Sequence, residues 1–277
     1  MALRDILLHM DNSRSCSARL EAAIQVAQTN GAHLAGLYVI QLPVFPYYAE
    51  VNIPREILEA HAKVAKARAD AAQKTFIDTT NRAGLSAEWR CVEGEVASHL
   101  TVHARYVDLV LLGQVERDDP ESTAPGLIDR VVLGAGRPVL TIPYIGMSRP
   151  LGQRVIVGWD ASREAVRAIN DALPLLERAQ HVTVLSINPP SGEQGDGDIP
   201  SADICLHLAR HGVKAEAHQL QAEDIEAGAM LLSYATDQGA DLIVSGAYGH
   251  SRLRELVLGG VTRHLVEHMT VPVFMSH

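Results

Sequence analysis

The chain repeats itself at a fixed interval. Gly113 and Gly246 stand 133 positions apart, and the same interval separates Asp108 from Asp241, Gly126 from Gly259 and Arg130 from Arg263. One shared offset across four pairs marks a tandem duplication, so whatever one half folds into, the other must resemble. With 277 residues, 47% of them apolar, each half has enough material for a core of its own. The seam falls in YIGMSRPLGQ, residues 144–153, whose glycines, proline and serine suit a linker. This divides the chain into 1–147 and 152–277.

Both halves run through the same series of patterns. DILLHMD and RVIVGWD are apolar runs ending in Asp11 and Asp160, each followed by a polar turn and a stretch with apolar residues at helical spacing. HLAGLYVI and HVTVLSI read as second strands, and runs after Gly84 and Gly212 as third strands. DLVLLG and DLIVSG are buried-strand runs led by Asp108 and Asp241, and RPVLTIP and TVPVFMS close the two halves. Strands alternating with helices predict a parallel sheet covered on both faces. The expected fold is therefore α/β, with two tandem doubly wound parallel-sheet domains of five strands each. Each half also carries an insertion after its second strand. QLPVFPYYAEVNIP precedes a long Ala-rich helix from about Pro54 to Asn81, and NPPSGEQGDGDIP precedes a short helix around Ser201–Arg210.

In such folds ligands sit at the carboxyl ends of strands where strand order reverses. Asp160 and the glycines after DLIVS occupy those positions. Gly246, Gly249 and Gly259 are spaced with two and nine intervening residues, and Gly260, Val261 and Thr262 open a helical pattern behind them. Glycines admit a ligand close to the backbone, and a helix start presents unpaired N–H groups, which together suit an anion. The spacing is neither the dinucleotide fingerprint nor a P-loop. His250, Ser251, Arg252 and Arg254 lie between Gly249 and Gly259. Arg252 or His250 has the charge and reach for a phosphate, although solvated loop charges are the commoner case.

Composition excludes several classes. A net charge of −9 argues against coating nucleic acid or an anionic membrane surface. No uncharged run approaches membrane-spanning length, and Cys16, Cys91 and Cys205 offer neither a disulfide framework nor a CxxC pair. A soluble, cytoplasmic protein is expected. His99 and His103 are four apart on an expected helix but lack a third ligand, so no metal site is expected there. Phe45, Tyr47 and Tyr48 cluster in the first insertion, where a small core under the loop is a simpler expectation than a cleft cover.

The second half resembles the universal stress protein family, whose ATP-binding members carry G-x2-G-x9-G-(S/T) before the last helix. With the repeat layout, the resemblance spans the chain as two tandem domains. It implies an adenine-nucleotide alpha hydrolase-like fold, paired internally as a pseudo-dimer through the last strands. It also implies that ATP or a related adenine nucleotide binds the second half, with or without Mg2+ and with no structural metal. In that reading Asp160 meets the ribose or adenine end and the backbone at Ile187 meets the adenine edge. Gly246, Gly249, Gly259 and Gly260 admit the phosphates, with the Val261 N–H, the Thr262 hydroxyl and Arg252 beside them. The family's hydroxyl position is Gly260 here, which removes one donor. Trp159, just before Asp160, would cover the adenine or crowd it.

The first half departs further. Gly249, Gly260 and Thr262 are matched by Glu116, Leu127 and Asp129, within a loop that also carries Asp118, Asp119 and Glu121. Like charges beside a triphosphate oppose binding, so no nucleotide is expected there and Asp11 reads as a helix cap. The implied role is stress response, with the first half as built-in partner, a second copy or another protein as further partners, and no nucleic acid or membrane. Two rivals stand beside it. One is a slow ATPase, disfavoured by the missing P-loop lysine and lost hydroxyl; the other is an interaction scaffold that binds no nucleotide.

Overall fold

A computed structural model describes residues 2–41, 54–189, 201–222, 225–249 and 260–277. The aromatic cluster at Phe45, Tyr47 and Tyr48, and the loop residues His250, Ser251, Arg252, Arg254 and Gly259, lie outside them.

The first half runs β1 (Asp5–Met10), α1 (Cys16–Asn30), β2 (His33–Ile40), α2 (Arg55–Arg82), β3 (Ala87–Glu93), α3 (Val96–Ala104), β4 (Leu109–Gly113), α4 (Leu127–Gly134) and β5 (Val139–Ile142). The second half repeats the series as β6 (Arg154–Gly158), α5 (Arg163–Leu176), β7 (His181–Ile187), α6 (Ala202–Arg210), β8 (Ala215–Leu220), α7 (Ala227–Asp237), β9 (Leu242–Gly246), α8 (Gly260–His268) and β10 (Val273–Ser276). The elements follow the sequence patterns closely, including the long second helix, which starts at Arg55 behind Pro54.

Among the described residues all strands join one ten-stranded sheet in the order β3-β2-β1-β4-β5-β10-β9-β6-β7-β8. Within each half neighbouring strands are parallel. At the centre β5 and β10 pair antiparallel, with Phe274 opposite Leu140 and Val273 opposite Thr141. The last strands thus satisfy each other's open backbone edge, which joins the two halves as an internal pseudo-dimer.

Side chains alternate across the sheet. Ile6, Leu8 and Met10 join the core under α1, α2, α5 and α6, while Leu7 faces the other core under α3, α4, α7 and α8. The Asp that leads the fourth strand of each half has a structural task. Asp241 accepts the backbone N–H groups of Gly152, Gln153 and Arg154, and Asp108 accepts those of Arg4 and Asp5. Each carboxylate therefore ties the entry of its central strand. Gly36 on β2 serves packing, because a Cβ there would lie 2.7 Å from the Phe76 ring of α2.

Strand order reverses between β1 and β4 in the first half and between β6 and β9 in the second. A cleft opens at the carboxyl ends of both pairs, where doubly wound sheets bind ligands.

Candidate functional site

In the second half the cleft encloses about 230 Å³. Asp160, Ile187, Gly246, Gly249, Gly260, Val261 and Thr262 all line it, joined by Trp159, Ser162, Glu164 and Tyr248. The structure thus brings together every sequence-expected residue that falls among the described ones. Arg252 and Gly259 fall outside them.

The structure shows what holds each of these residues in place. The cap of α5 is Ser162, whose hydroxyl accepts the Ala165 N–H at 3.1 Å. Asp160 instead accepts the Ser162 N–H at 3.0 Å and stands exposed at the rim. Trp159 extends the sheet, donating its N–H to Leu185 O at 2.9 Å, and packs against the core, so it forms a wall. At Gly246 an added Cβ would lie 2.5 Å from Ala165 N and 2.6 Å from the Glu164 carbonyl carbon. Close packing of β9 against the start of α5 therefore explains this glycine without any ligand.

Gly260 begins α8, and no atom of the described residues lies within 4 Å of a Cβ placed there. Thr262 is buried, and its hydroxyl accepts the Tyr248 N–H at 3.4 Å. Tyr248, at a left-handed φ of 65°, spans the seam between the halves. Its hydroxyl donates to Asp129 in the first turn of α4, the repeat counterpart of Thr262. Burial and the Asp129 carboxylate both push that phenol's pKa up. Gln114 also bridges the halves, donating to the Val266 and Glu267 carbonyls.

Glu164 has a role the sequence does not announce. It is 6% exposed, and its Oε2 would lie 3.1 Å from a Cβ at Gly249. A carboxylate thus stands at the glycine expected to admit phosphate. Its partner Arg163, 3.3 Å away, is largely solvated. The one sequence signal is an acid in the first turn of a helix, which ordinarily reads as a favourable dipole contact.

The first-half counterpart is built from different chemistry. Its cavity encloses about 500 Å³ and is lined by His9, Asp11, Tyr38, Arg68, Glu121 and Thr123 among others. Asp11 is not a helix cap. It accepts the Ser13 N–H and hydroxyl, and its Oδ1 lies 2.7 Å from Nη2 of Arg19, a fully buried side chain. Burial raises the Asp11 pKa, but Arg19, His9 and Ser13 outweigh it and bring it down to about 2. Arg19 fills the space under β4, where a Cβ at Gly113 would lie 2.0 Å from its Nη1. At the equivalent place on α5 stands Ala168.

The acidic loop of this half is tied down by its own bonds. Asp119 accepts the N–H groups of Arg14 and Glu121, which hold its carboxyl below the usual range. Arg68 on α2 reaches Glu121 at 2.9 Å. His99 and His103 part company: His99 Nε2 contacts Glu93 O and His103 Nδ1 contacts Arg90. Among the described residues no group of three or more His, Cys, Asp or Glu is set to hold a metal ion. Among them, no helix is long and apolar enough to cross a membrane.

Comparison with known proteins bears on both halves. The sequence model of the universal stress protein family matches residues 2–143 and again 152–277. Universal stress protein Slr1230 of Synechocystis is 24% identical over 295 residues, covering 98% of this chain and 99% of that protein. A universal stress protein from Archaeoglobus fulgidus superposes with a TM-score of 0.75 at 17% identity, covering 98% of this chain and 97% of the other. The functionally unknown protein PA1789 of Pseudomonas aeruginosa gives 0.61 at 16% identity, covering 99% and 92%. At these identities the superpositions establish the fold.

Proposed function

The chain belongs to the universal stress protein family, with one copy of the fold in each half, and from that premise we propose that the second half binds ATP or a related adenine nucleotide. The observation that carries this reading is the cleft where β6 and β9 diverge. There Asp160, Ile187 and Gly249 line one cleft with Gly260 and Val261 at the start of α8. Backbone N–H groups at a helix start favour an anion, and the glycines leave room for one. Asp160 at the rim is the group for the ribose or adenine end, Ile187 for the adenine edge, and Thr262 supports the Tyr248 backbone beside them. Gly246, Arg252 and Gly259 complete the proposed set. Gly246 acts through packing, and Arg252 and Gly259 through their place in the motif. The first half takes no nucleotide in this way, because Leu127 and Asp129 stand where Gly260 and Thr262 do. It serves as the fixed partner across β5 and β10. The cellular role is stress response, in the cytoplasm.

The site also suits Mg2+ arriving with ATP. Glu164 offers the kind of oxygen that ion takes, and it stands beside the phosphate position at Gly249. Turnover is not part of the proposal.

Mass spectrometry of ligand released from freshly purified protein, with calorimetric titration, tests this reading. The expected result is one adenine nucleotide per chain and a large loss of affinity in Gly249→Glu with the fold intact. Two equivalent sites per chain, or no heat with ATP, ADP or AMP, overturns it.

A further inference from the structure

Backbone strain collects around one of the two clefts. Among the described residues Ala161, Asn188, Ser201 and Tyr248 are the non-glycine residues with a left-handed backbone, and all lie in the second half. Ala161, Asn188 and Tyr248 stand just beyond the carboxyl ends of β6, β7 and β9, the strands that frame the second-half cleft. A bulky side chain rarely takes this conformation, and such outliers persist only where their surroundings hold them. Ala161 and Asn188 are held from nearby. Asp160 accepts the Ser162 N–H across Ala161, and Asn188 exchanges two hydrogen bonds with Ala222.

Tyr248 is held from both halves. Thr262 accepts its N–H, and its ring meets that of His277 edge-on with centroids 6.3 Å apart. Its hydroxyl donates to Asp129 of the first half. Burial and that carboxylate keep the phenol protonated, so it remains the donor. Thr262 and Asp129 are repeat counterparts, each the third residue of the helix that follows its half's fourth strand. The same position in the two halves therefore grips opposite ends of one tyrosine. The arrangement is one-sided, because the counterpart of Tyr248 is Val115, which has no hydroxyl.

We propose that Asp129 of the first half is a positioning residue for the nucleotide site of the second half, holding through Tyr248 the turn that presents the Gly249 backbone to phosphate.

Asp129 takes this role only if the second half binds an adenine nucleotide, the reading on which this inference rests. The geometry links the two residues to the site directly. Tyr248 lines the cleft and precedes Gly249, whose backbone lies against the start of α5, with a Cβ there 3.1 Å from Glu164 Oε2 and 3.6 Å from Ser162. The dihedrals of Tyr248 aim the peptide that leads into Gly249, so a relaxed Tyr248 would carry Gly249 away from α5. The first half also holds the far end of α8, where Gln114 donates to the Val266 and Glu267 carbonyls. The nucleotide site is thus braced across the seam at its loop and at its helix.

Calorimetric titration of full-length variants with ATP and with adenosine, in EDTA, tests this. Asp129→Leu and Asp129→Asn remove the same charge at similar volume, but an Asn oxygen still accepts from the phenol. ATP should bind Asp129→Leu about fivefold more weakly than Asp129→Asn, the worth of one neutral hydrogen bond. Adenosine should bind the two equally. In a Tyr248→Phe background, which keeps the ring, the difference between Leu and Asn should vanish. If Asp129 only strengthens the seam, melting temperatures fall while ATP binds Leu and Asn variants equally, and that result overturns the proposal. So does a loss shared equally by adenosine, or a Leu–Asn difference that survives in Tyr248→Phe. Should Asp129→Leu not fold, Tyr248→Phe alone decides, since it must lose affinity for ATP and keep it for adenosine. Wild-type protein that binds no adenine nucleotide overturns the underlying reading and this role with it, whereas the other failures overturn the role alone.

Discussion

Replacing Glu164 by Gln is predicted to tighten ATP binding. In the folded chain this carboxylate is buried and would lie 3.1 Å from a Cβ at Gly249, the position proposed to admit phosphates. Its partner Arg163 is 3.3 Å away but largely solvated, so its neutralising effect is weak. Two unit charges about 8 Å apart at an effective dielectric of about 20 repel by roughly 2 kcal/mol. Salt screening and Arg163 reduce that to about 1–2 kcal/mol, or a gain of roughly 5- to 30-fold. Gln keeps the volume and hydrogen-bonding reach of Glu, so packing at the start of α5 is preserved. Calorimetric titration in EDTA should give tighter ATP binding, a smaller gain for AMP and none for adenosine. With Mg2+ present the gain should shrink, because the ion loses an oxygen ligand as the phosphates lose a repulsive neighbour. An equal gain for adenosine, or no gain for ATP in EDTA, would show that phosphates do not pass beside Gly249.

Gly260→Ser should strengthen ATP by about tenfold while leaving adenosine unchanged, because a serine hydroxyl can donate a charge-assisted hydrogen bond. No atom of the described residues crowds a Cβ at Gly260, so no folding penalty is expected, which thermal unfolding checks. Gly246→Ala should destabilise the protein by about 1–3 kcal/mol in urea titrations, since its Cβ collides with the α5 backbone. A neutral outcome would return Gly246 to a purely ligand-facing role. Stability should also fall on mild acidification through His9. Folded His9 takes a proton only near pH 4, while the unfolded side chain does so near 6.5. Between those values the unfolded chain holds more protons. This contribution is therefore complete above pH 6.5 and is lost as pH falls toward 4. Denaturant titrations across that range should show a shallower slope in His9→Asn, and an identical slope would rule the assignment out.

Much of this architecture is written locally. The common offset of Asp108, Gly113 and Arg130 with their second-half partners fixes the duplication. The alternating apolar runs fix the strands, and the Ala-rich stretch behind Pro54 fixes α2, because helical and strand periods are properties of neighbouring residues. The β5–β10 pairing is what the family resemblance implies, and it satisfies the open edge of each final strand. The family motif gathers Asp160, Ile187, Gly249 and Gly260 around one cleft for the same reason: each sits at a strand end or helix start that the local pattern locates.

What a given side chain does there depends on segments far apart in the chain. Arg19 interrupts an apolar helix stripe, yet only the packing of α1 beneath β4 sets it against Asp11 and Gly113. Gly246 reads as a ligand glycine, and only the fold adds a second demand on it, the α5 backbone lying against it. Glu164 reads as an ordinary helix-start acid until the fold brings it to Gly249. Tyr248 reaches Asp129 across 119 positions of sequence. Periodicity carries information about which face a residue takes, whereas burial of a charge, closeness of a backbone and repulsion at a site are set by what the opposite segment places there. The sequence by itself determined the duplicated sheet and the location of its clefts; the tertiary structure set Glu164 beside Gly249 in one cleft and the buried Arg19 against Asp11 in the other.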